Sequence, residues 1–277
     1  MLKETAEMKE RPFFATVAFT APHDPRTPPA DYLKLYTAEA IPTPPSFMPQ
    51  HPFDDGYFWI RDEKLLPRPR RLGAVKREVA AYYGMISQLD AQIGRILKTL
   101  EETGQKENTI VFYLGDHGLS VGNHGLVGKM SMYAHSVQTP LIMAGPGIPK
   151  GEVTDALVYL HDLYPTSCRL VGAEVPPSVE GKDLTPIIRG DAKKVRDYIF
   201  CANANLQRMV RDSRYKLIRY YRDETRQVGS NRYCLFDLEQ DPFELHDLID
   251  DANQQDRIAK LKQQLAQWQL DHKDPYR

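Results

Sequence analysis

The sequence predicts an α/β fold: a mixed sheet flanked by helices, followed by a small antiparallel sheet with a helix. Helical and strand-like segments alternate in the first two thirds of the chain, and polar, glycine-rich loops follow the strand-like segments. Closely spaced β-rich runs dominate after residue 195. We therefore expect an α/β domain at residues 1–195 and a sheet-plus-helix subdomain at residues 196–277.

The first predicted element is a buried strand at residues 13–19, where the run FFATVAF combines aromatic and β-branched residues. The loop TAPHDPR follows it at residues 20–26. Proline is frequent from there to residue 72, which indicates extended surface loops with a short helix near residues 32–36.

A long amphipathic helix and two strands come next. Apolar residues recur along the helix at intervals of three and four: Val75, Val79, Tyr82, Ile86, Leu89, Ile93, Ile96 and Leu100. Gly104 ends this helix, and the apolar runs at 110–114 and 140–144 predict buried strands. Residues 163–171 predict another helix, with Pro165 in its first turn.

The C-terminal part is predicted to be a small antiparallel sheet accompanied by a helix. Residues 198–210 and 215–221 predict two strands joined by the turn RDSR, and residues 233–238 predict a third. One face of the last predicted helix is apolar and carries Ile258, Leu261, Leu265 and Trp268.

Composition argues against several classes of protein. The 277 residues carry a net charge of −1, which indicates neither a nucleic-acid partner nor a membrane surface. No apolar run approaches the roughly 20 residues that cross a bilayer. The charged N-terminus lacks the features of a signal peptide, so the chain as written would stay in the cytoplasm. Cys168, Cys201 and Cys234 have no metal-binding spacing; we expect reduced side chains, and a disulfide between two of them stays open.

The most informative segment is the loop that follows the strand at 110–114. Asp116 and His117 come directly after this strand, and open α/β sheets bind ligands beyond the carboxyl ends of their strands. A carboxylate and an imidazole are candidate metal ligands. The alternative is that Asp116 caps the next turn and His117 is a hydrogen-bonded loop histidine. Two ligands are too few for a complete metal site.

Further along the same glycine-rich loop lie His124 and Lys129. The segment GNHGLVGKMS departs from a nucleotide-binding P-loop, because Met130 stands where a magnesium-binding Ser or Thr belongs. Lys129 is either an anion ligand or a solvated loop lysine. His124 is either a structural residue or a substrate contact.

The loop after the first predicted strand offers two more candidates. His23 lies between prolines in the segment APHDP, which stiffen the loop and fix the direction of the imidazole. It can donate a proton or bind an oxyanion, and a histidine bonded to backbone is the alternative. Arg26 either binds an anion through two parallel hydrogen bonds or stabilises the local turn.

Taken in order, these segments resemble the formylglycine-dependent sulfatases, and the bacterial choline- and iduronate-type members in particular. The resemblance rests on FFATVAFTAPHDPRTPPADY, YYGMISQLDAQIGRIL, TIVFYLGDHGLSVGNHGLVGK, MYAHSVQTPLIMAGPGI, VYLHDLYPTSCRLVG, and MVRDSRYKLIRYY with CLFDLEQDPFELHDL. It extends over nearly the whole chain. It implies the alkaline-phosphatase-like fold and hydrolysis of sulfate monoesters, with a sulfated small molecule or sulfated carbohydrate as the substrate.

The resemblance also implies roles for individual residues. Asp116 and His117 match one pair of metal ligands, and the family metal is Ca²⁺, for which an imidazole is an unusual ligand. Lys129 matches the lysine that binds a sulfate oxygen. His23 matches the histidine that contacts sulfate and protonates the leaving alcohol.

Other polar residues are less specifically implied. His124 and Arg26 lie where relatives build the substrate pocket. Four further residues in the proline-rich region are polar: His51, Asp54, Asp55 and Arg61. They either determine substrate specificity or only stabilise the loop, and we favour the second interpretation.

The family's nucleophile motif is absent from this sequence. Sulfatases carry Cys-or-Ser-x-Pro/Ala-x-Arg, whose first residue becomes formylglycine, and two aspartate ligands precede it. No Cys or Ser of this chain has Pro or Ala two positions on and Arg four positions on. We therefore expect the C-terminal two thirds of a sulfatase, inactive alone because the nucleophile is missing. Exposed strand edges would make it poorly soluble or associate it with a complementary N-terminal fragment.

Two alternatives stay open. A non-catalytic remnant, or a partner subunit of a split sulfatase, would also lack the nucleophile. A phosphomonoesterase or phosphonate hydrolase of the same superfamily usually binds two transition metals and needs further Asp and His ligands. The family is commonly periplasmic or secreted, so the resemblance leaves the localisation of the chain open.

Overall fold

The computed structural model describes residues 1–7 and 11–276. Along these residues the α-helices are α1 (Leu2–Glu7), α2 (Ala30–Leu33), α3 (Leu72–Glu102), α4 (Ala134–Val137), α5 (Leu163–Leu170), α6 (Thr185–Ile188) and α7 (Gln255–Asp271). The strands are β1 (Val111–Leu114), β2 (Leu141–Ala144), β3 (Ile199–Asn203), β4 (Gln207–Arg211), β5 (Tyr215–Tyr220) and β6 (Arg232–Asp237). This combination confirms the α/β class.

Helix α3 is the long helix that the apolar periodicity predicts. Its buried side includes Val75, Val79 and Ala80, which pack with Ile41 and Val121 in one hydrophobic cluster. The predicted apolar face is only partly covered, since Ile86 is exposed. Among the described residues, no helix is both long and apolar enough to cross a membrane.

Strands β1 and β2 form an antiparallel pair in which Phe112 lies opposite Met143. Both predicted strands therefore exist, but the prediction that they are buried is wrong: Ile142 is 60% exposed and Leu114 is exposed as well. The predicted buried strand at residues 13–19 is also wrong, because this segment forms no strand and Phe14 is 90% exposed. A strand needs a neighbouring edge for its backbone groups, and nothing in the described part of the chain pairs with this segment.

The four strands of the C-terminal sheet follow one another in the order β3-β4-β5-β6, and all neighbours are antiparallel. The sequence pattern predicts one strand at residues 198–210, whereas the structure divides them into β3 and β4. Ala204 adopts a positive φ of 43° at the turn between them, which reverses the chain. The turn between β4 and β5 and the last helix form as predicted.

The C-terminal sheet is buried on both faces. One face, with Val210, Leu217 and Leu235, packs on α7. The other face packs against Leu126, Met132 and Tyr133 of the segment 115–137. The sheet residues in this second cluster are Met209, Ile218, Tyr220, Cys234 and Phe236. The sheet therefore packs against the glycine-rich loop and the residues that follow it. This hydrophobic cluster joins residues from both sides of the domain boundary that we expect near residue 195.

Candidate active site

The structure brings His23 and Lys129 into contact across 106 residues of sequence. Lys129 Nζ lies 3.2 Å from His23 Nε2, and His23 Nδ1 lies 2.9 Å from the carbonyl oxygen of Asp24. A lysine ammonium can only donate, so Nε2 of the imidazole accepts and Nδ1 carries the proton towards the Asp24 carbonyl. The tautomer of His23 thus follows from its two partners.

The glycine-rich loop, residues 115–129, folds back on itself, so that residues near its end lie beside residues near its start. Ser120 N donates to the carbonyl oxygen of Gly128 at 2.9 Å, and Gly122 N donates to that of Leu126 at 2.7 Å. Gly122 must be a glycine, because a Cβ there would lie 2.4 Å from Val75 of α3. These backbone bonds place Gly128, the neighbour of Lys129, beside Ser120, which follows Asp116 and His117 closely in sequence.

Two carboxylates and a guanidinium surround the His23–Lys129 pair. Arg61 donates to Asp24 and also to Asp62, the latter at 3.0 Å, and Asp62 Oδ2 lies 4.0 Å from Lys129 Nζ. Burial acts to raise the pKa of Asp24, but the hydrogen bond and charge of Arg61 outweigh it and lower that pKa overall. The site therefore alternates positive and negative groups.

Asp116 and His117 lie at the end of β1, as predicted. The Asp116 carboxylate is 86% exposed and its Oδ1 accepts from the backbone of His117 at 2.9 Å, while His117 Nε2 lies 3.7 Å away from the same oxygen. His117 Nδ1 contacts the carbonyl oxygen of Gly118 at 3.0 Å, which leaves Nε2 available. Both donors can thus face one cation.

The donor set fits part of a metal site. An exposed carboxylate suits a hard divalent cation, which takes six to eight oxygen ligands when it is Ca²⁺. Within residues 1–7 and 11–276, no group of three His, Cys, Asp or Glu side chains is arranged to hold an ion. Asp116 and His117 can therefore contribute two ligands, and the remaining ligands must come from other groups.

Arg26 does not join the His23–Lys129 pair. Its side chain is 3% exposed, and Nη1 donates to Glu78 of α3 at 2.6 Å. Its Nε and Nη2 are buried and have no hydrogen-bond partner in the described part of the chain. The guanidinium therefore faces α3, and this geometry gives no support to the expected substrate contact.

His124 is buried among structural contacts in this geometry, and its expected substrate contact stays a prediction. It is 2% exposed and stacks on Tyr133, with ring centroids 3.8 Å apart. Its Nδ1 contacts His135 Nε2 at 3.1 Å, and its Nε2 contacts the carbonyl oxygen of Glu244 at 3.0 Å. Both ring nitrogens are occupied, and burial lowers the pKa of His124.

Asp62, which approaches Lys129, is missed from sequence, and Arg61, for which an ordinary loop role is favoured there, donates to Asp24. Of His51, Asp54, Asp55 and Arg61, only Arg61 contacts the site; His51 and Asp55 are buried elsewhere, and Asp54 accepts from Gly229 N. The sequence gives little indication that Arg61 and Asp62 lie at the site, because both are in a proline-rich loop without periodicity. Cys168, Cys201 and Cys234 are unpaired, as expected.

Comparison with known protein families yields two matches. The family model described as "Sulfatase" matches residues 1–173. A second model, "N-sulphoglucosamine sulphohydrolase, C-terminal", matches residues 122–271.

Curated proteins of similar sequence include several sulfatases. The chain is 32% identical over 270 residues to an arylsulfatase of Clostridium perfringens, which covers 91% of this chain and 52% of that protein. It is 29% identical over 291 residues to a choline-sulfatase of Rhizobium meliloti, with 97% and 53% covered. A multifunctional alkaline phosphatase superfamily protein, PehA, of Trinickia caryophylli is 26% identical over 299 residues, with 95% and 57% covered. The chain spans about half the length of these relatives.

Solved structures show the same fold. A protein in complex with its substrate D-glucosamine-2-N,6-O-disulfate superposes with a TM-score of 0.77 at 22% identity, covering 99% of this chain and 69% of that one. A phosphonate monoester hydrolase from Silicibacter pomeroyi superposes with a TM-score of 0.77 at 26% identity, covering 95% and 57%. These likenesses confirm the alkaline-phosphatase-like fold that the resemblance implies.

Proposed function

This chain belongs to the sulfatase family, and we propose that it serves in the hydrolysis of sulfate monoesters by holding the sulfate group between Lys129 and His23. The observation that carries the proposal is the 3.2 Å contact between Lys129 Nζ and His23 Nε2. Two nitrogen groups from separate loops meet there at a solvent-accessible position, where one anion can touch both. An ammonium donates hydrogen bonds to sulfate oxygens, and the imidazole does so once Nε2 carries a proton.

Each of the two residues has a distinct task in the proposal. Lys129 donates hydrogen bonds to the sulfate oxygens, on which negative charge grows during transfer. A bound ester draws the ammonium away from His23 and frees Nε2, which takes up a proton from solvent and then gives it to the leaving alkoxide oxygen. Asp24 keeps the ring in place, because its carbonyl oxygen lies 2.9 Å from Nδ1.

Asp116 and His117 are the proposed ligands of a divalent cation, which we take to be Ca²⁺. Such a cation, when bound, polarises a sulfate oxygen and so lowers the barrier to attack at sulfur. The exposed carboxylate of Asp116 and the free Nε2 of His117 support this assignment. Further ligands would be contributed by groups outside this pair.

The nucleophile is the part of the reaction that these 277 residues lack. No Cys or Ser here matches the motif of the formylglycine precursor. We propose that these residues alone do not turn over sulfate esters, and that activity needs a complementary segment, in this or another polypeptide, that carries the motif and the remaining metal ligands.

Two measurements on the isolated chain test the proposal. Calorimetry with inorganic sulfate should detect binding that weakens at least about tenfold, roughly 1.4 kcal/mol, in Lys129→Ala. Lys98→Ala is the matched control, because Lys98 is an exposed lysine of α3. A chromogenic aryl sulfate should not be hydrolysed unless a fragment with the nucleophile motif is added. Equal sulfate affinity in wild type and Lys129→Ala, or rapid hydrolysis by the chain alone, would contradict the proposal.

A second candidate is hydrolysis of phosphonate or phosphate monoesters. It is favoured by the similarity to the phosphonate monoester hydrolase and to PehA, each at 26% identity. Assaying the complemented protein with matched aryl sulfate and aryl phosphonate esters separates the two, because the sulfatase proposal requires faster turnover of the sulfate. A non-catalytic remnant, the third candidate, would bind sulfate no better in wild type than in Lys129→Ala.

A further inference from the structure

A buried carboxylate lies directly behind the loop that carries Lys129. We propose that Glu63, together with Arg70, is a positioning residue that fixes the backbone before Lys129, so that the ammonium and His23 can both reach one anion, and thereby sets the affinity of the site for that anion. This inference rests on the proposed function, because the role of Glu63 is exerted through the sulfate-binding lysine.

Glu63 binds the two residues that precede Lys129. Gly128 N donates to Glu63 Oε1 at 2.7 Å, and Val127 N donates to Oε1 at 3.0 Å and Oε2 at 3.2 Å. The Glu63 residue is only 4% exposed. Hydrogen bonds from backbone amides to a buried carboxylate are charge-assisted, so they resist displacement by water. The carboxylate therefore fixes the backbone one residue before the functional side chain.

Arg70 balances the charge of Glu63 and holds the same loop at a second point. Its side chain is fully buried, and Nη2 lies 2.5 Å from Glu63 Oε2. Its Nε donates to the carbonyl oxygen of Gly125 at 3.0 Å. The ion pair thus binds loop amides through its acid and a loop carbonyl through its base. Removing either partner would leave the other charge buried and unpaired.

The residues beside Glu63 continue the same connection. Asp62 Oδ2 lies 4.0 Å from Lys129 Nζ, and Arg61 donates to Asp24, the neighbour of His23. The three consecutive residues therefore connect the two loops: Arg61 contacts the His23 loop, and Asp62 and Glu63 contact the Lys129 loop. The absence of a side chain at Gly128 permits this close approach, since a Cβ there would lie 3.0 Å from both Asp62 and Glu63.

A merely structural ion pair and a positioning device predict different coupling with Lys129. If Glu63 only stabilises the fold, its substitution lowers the melting temperature and leaves sulfate affinity unchanged in every folded variant. If it positions Lys129, its substitution weakens sulfate binding only while Lys129 is present. A double-mutant cycle between the two residues therefore separates these readings.

The experiment measures inorganic sulfate binding by calorimetry, and thermal unfolding, for Glu63→Gln, Lys129→Ala and the double variant. We expect Glu63→Gln to weaken sulfate binding about tenfold in the wild-type background and less than about twofold beside Lys129→Ala. The matched control is Asp274→Asn, which breaks the buried pair between Arg208 and Asp274 (2.6 Å) away from the loop. It should lower the melting temperature and leave sulfate affinity unchanged. Equal losses from Glu63→Gln with and without Lys129 would overturn the inference.

Two additions keep the test decisive. Should Glu63→Gln fail to fold, Glu63→Asp keeps the charge beside Arg70 but withdraws the carboxylate from the amides, and the same loss of affinity is expected. Should wild type bind no sulfate, the proposed function fails, and hydrogen exchange then judges the positioning claim alone. The amides of Val127 and Gly128 should exchange about a hundredfold faster in Glu63→Asp than in wild type. Unchanged exchange would reject the claim even if sulfate binds.

Discussion

The buried pair formed by Lys216 and Glu244 should be the most sensitive point of the junction between the C-terminal sheet and the glycine-rich loop. Lys216 Nζ lies 2.5 Å from Glu244 Oε1 and donates to the carbonyl oxygen of Met132 at 3.1 Å. Glu244 Oε2 accepts from Ala134 N at 2.6 Å, and the Glu244 carbonyl contacts His124. Both side chains of the pair are essentially fully buried.

We expect Lys216→Met to destabilise the protein by about 3–5 kcal/mol, because the substitution leaves the Glu244 carboxylate buried without a counter-charge. With an m-value of about 3 kcal/mol/M, a loss of about 4 kcal/mol lowers the urea midpoint by more than about 1 M. Circular dichroism during urea unfolding measures this change. Lys194→Met is the control, because Lys194 pairs with Asp197 on the surface and should change stability by less than about 0.5 kcal/mol.

The double variant Lys216→Met/Glu244→Gln sharpens the test. Glu244→Gln alone leaves the ammonium buried and unpaired, and we expect a loss similar to that of Lys216→Met. The double variant removes both charges, so it should be clearly more stable than the sum of the single losses requires. A loss below about 1 kcal/mol in Lys216→Met, or strictly additive losses in the double variant, would refute the electrostatic reasoning.

Three further predictions concern titration and the exposed apolar surface. Burial lowers the pKa of His51 to about 4, so the folded state excludes a proton that the unfolded chain binds as the pH falls below about 6.5. His51→Asn should therefore lose less stability than wild type between pH 7.5 and pH 5 in thermal melts, and an equal or steeper loss would argue against this. Burial raises the pKa of Asp55 to about 7, so its contribution to stability falls as the pH rises from about 4 to 7; Asp55→Asn, which keeps an oxygen for Tyr57 N, should stabilise the protein more at pH 8 than at pH 5, and a pH-independent effect would contradict it. Replacing the exposed Phe14 and Ile142 by Ser should reduce light scattering at high concentration without lowering the melting temperature, whereas unchanged self-association would show that these residues do not cause it.

The long helix was predictable from sequence because its apolar spacing is a local property. The strand predicted at residues 13–19 does not form, because a segment with high β propensity becomes a strand only when a neighbouring strand supplies hydrogen-bond partners. The division of residues 198–210 into two strands was hidden for a related reason. Ala204 adopts a positive φ there without being the glycine that usually marks such a turn.

The candidate site shows a similar division. The position of Asp116 and His117 followed from their place at the end of a strand, whereas the pairing of His23 with Lys129 came from the family resemblance. The two alternatives for His124 could not be separated from sequence, since its neighbours in sequence are candidate site residues while its ring faces the interior. The role of Glu63 could not be predicted from sequence, because its partners at residues 127–128 are remote in sequence. These partners are backbone amides, which every residue type except proline has.

Anomalous diffraction from crystals of the chain soaked in selenate tests the central claim most directly. Selenate has the shape and charge of sulfate, and its selenium can be located independently of the atomic model. We predict a selenium peak at a position from which the selenate oxygens lie within hydrogen-bonding distance of Lys129 Nζ and His23 Nε2. Selenium peaks confined to other parts of the surface, with this position free of density, would contradict it.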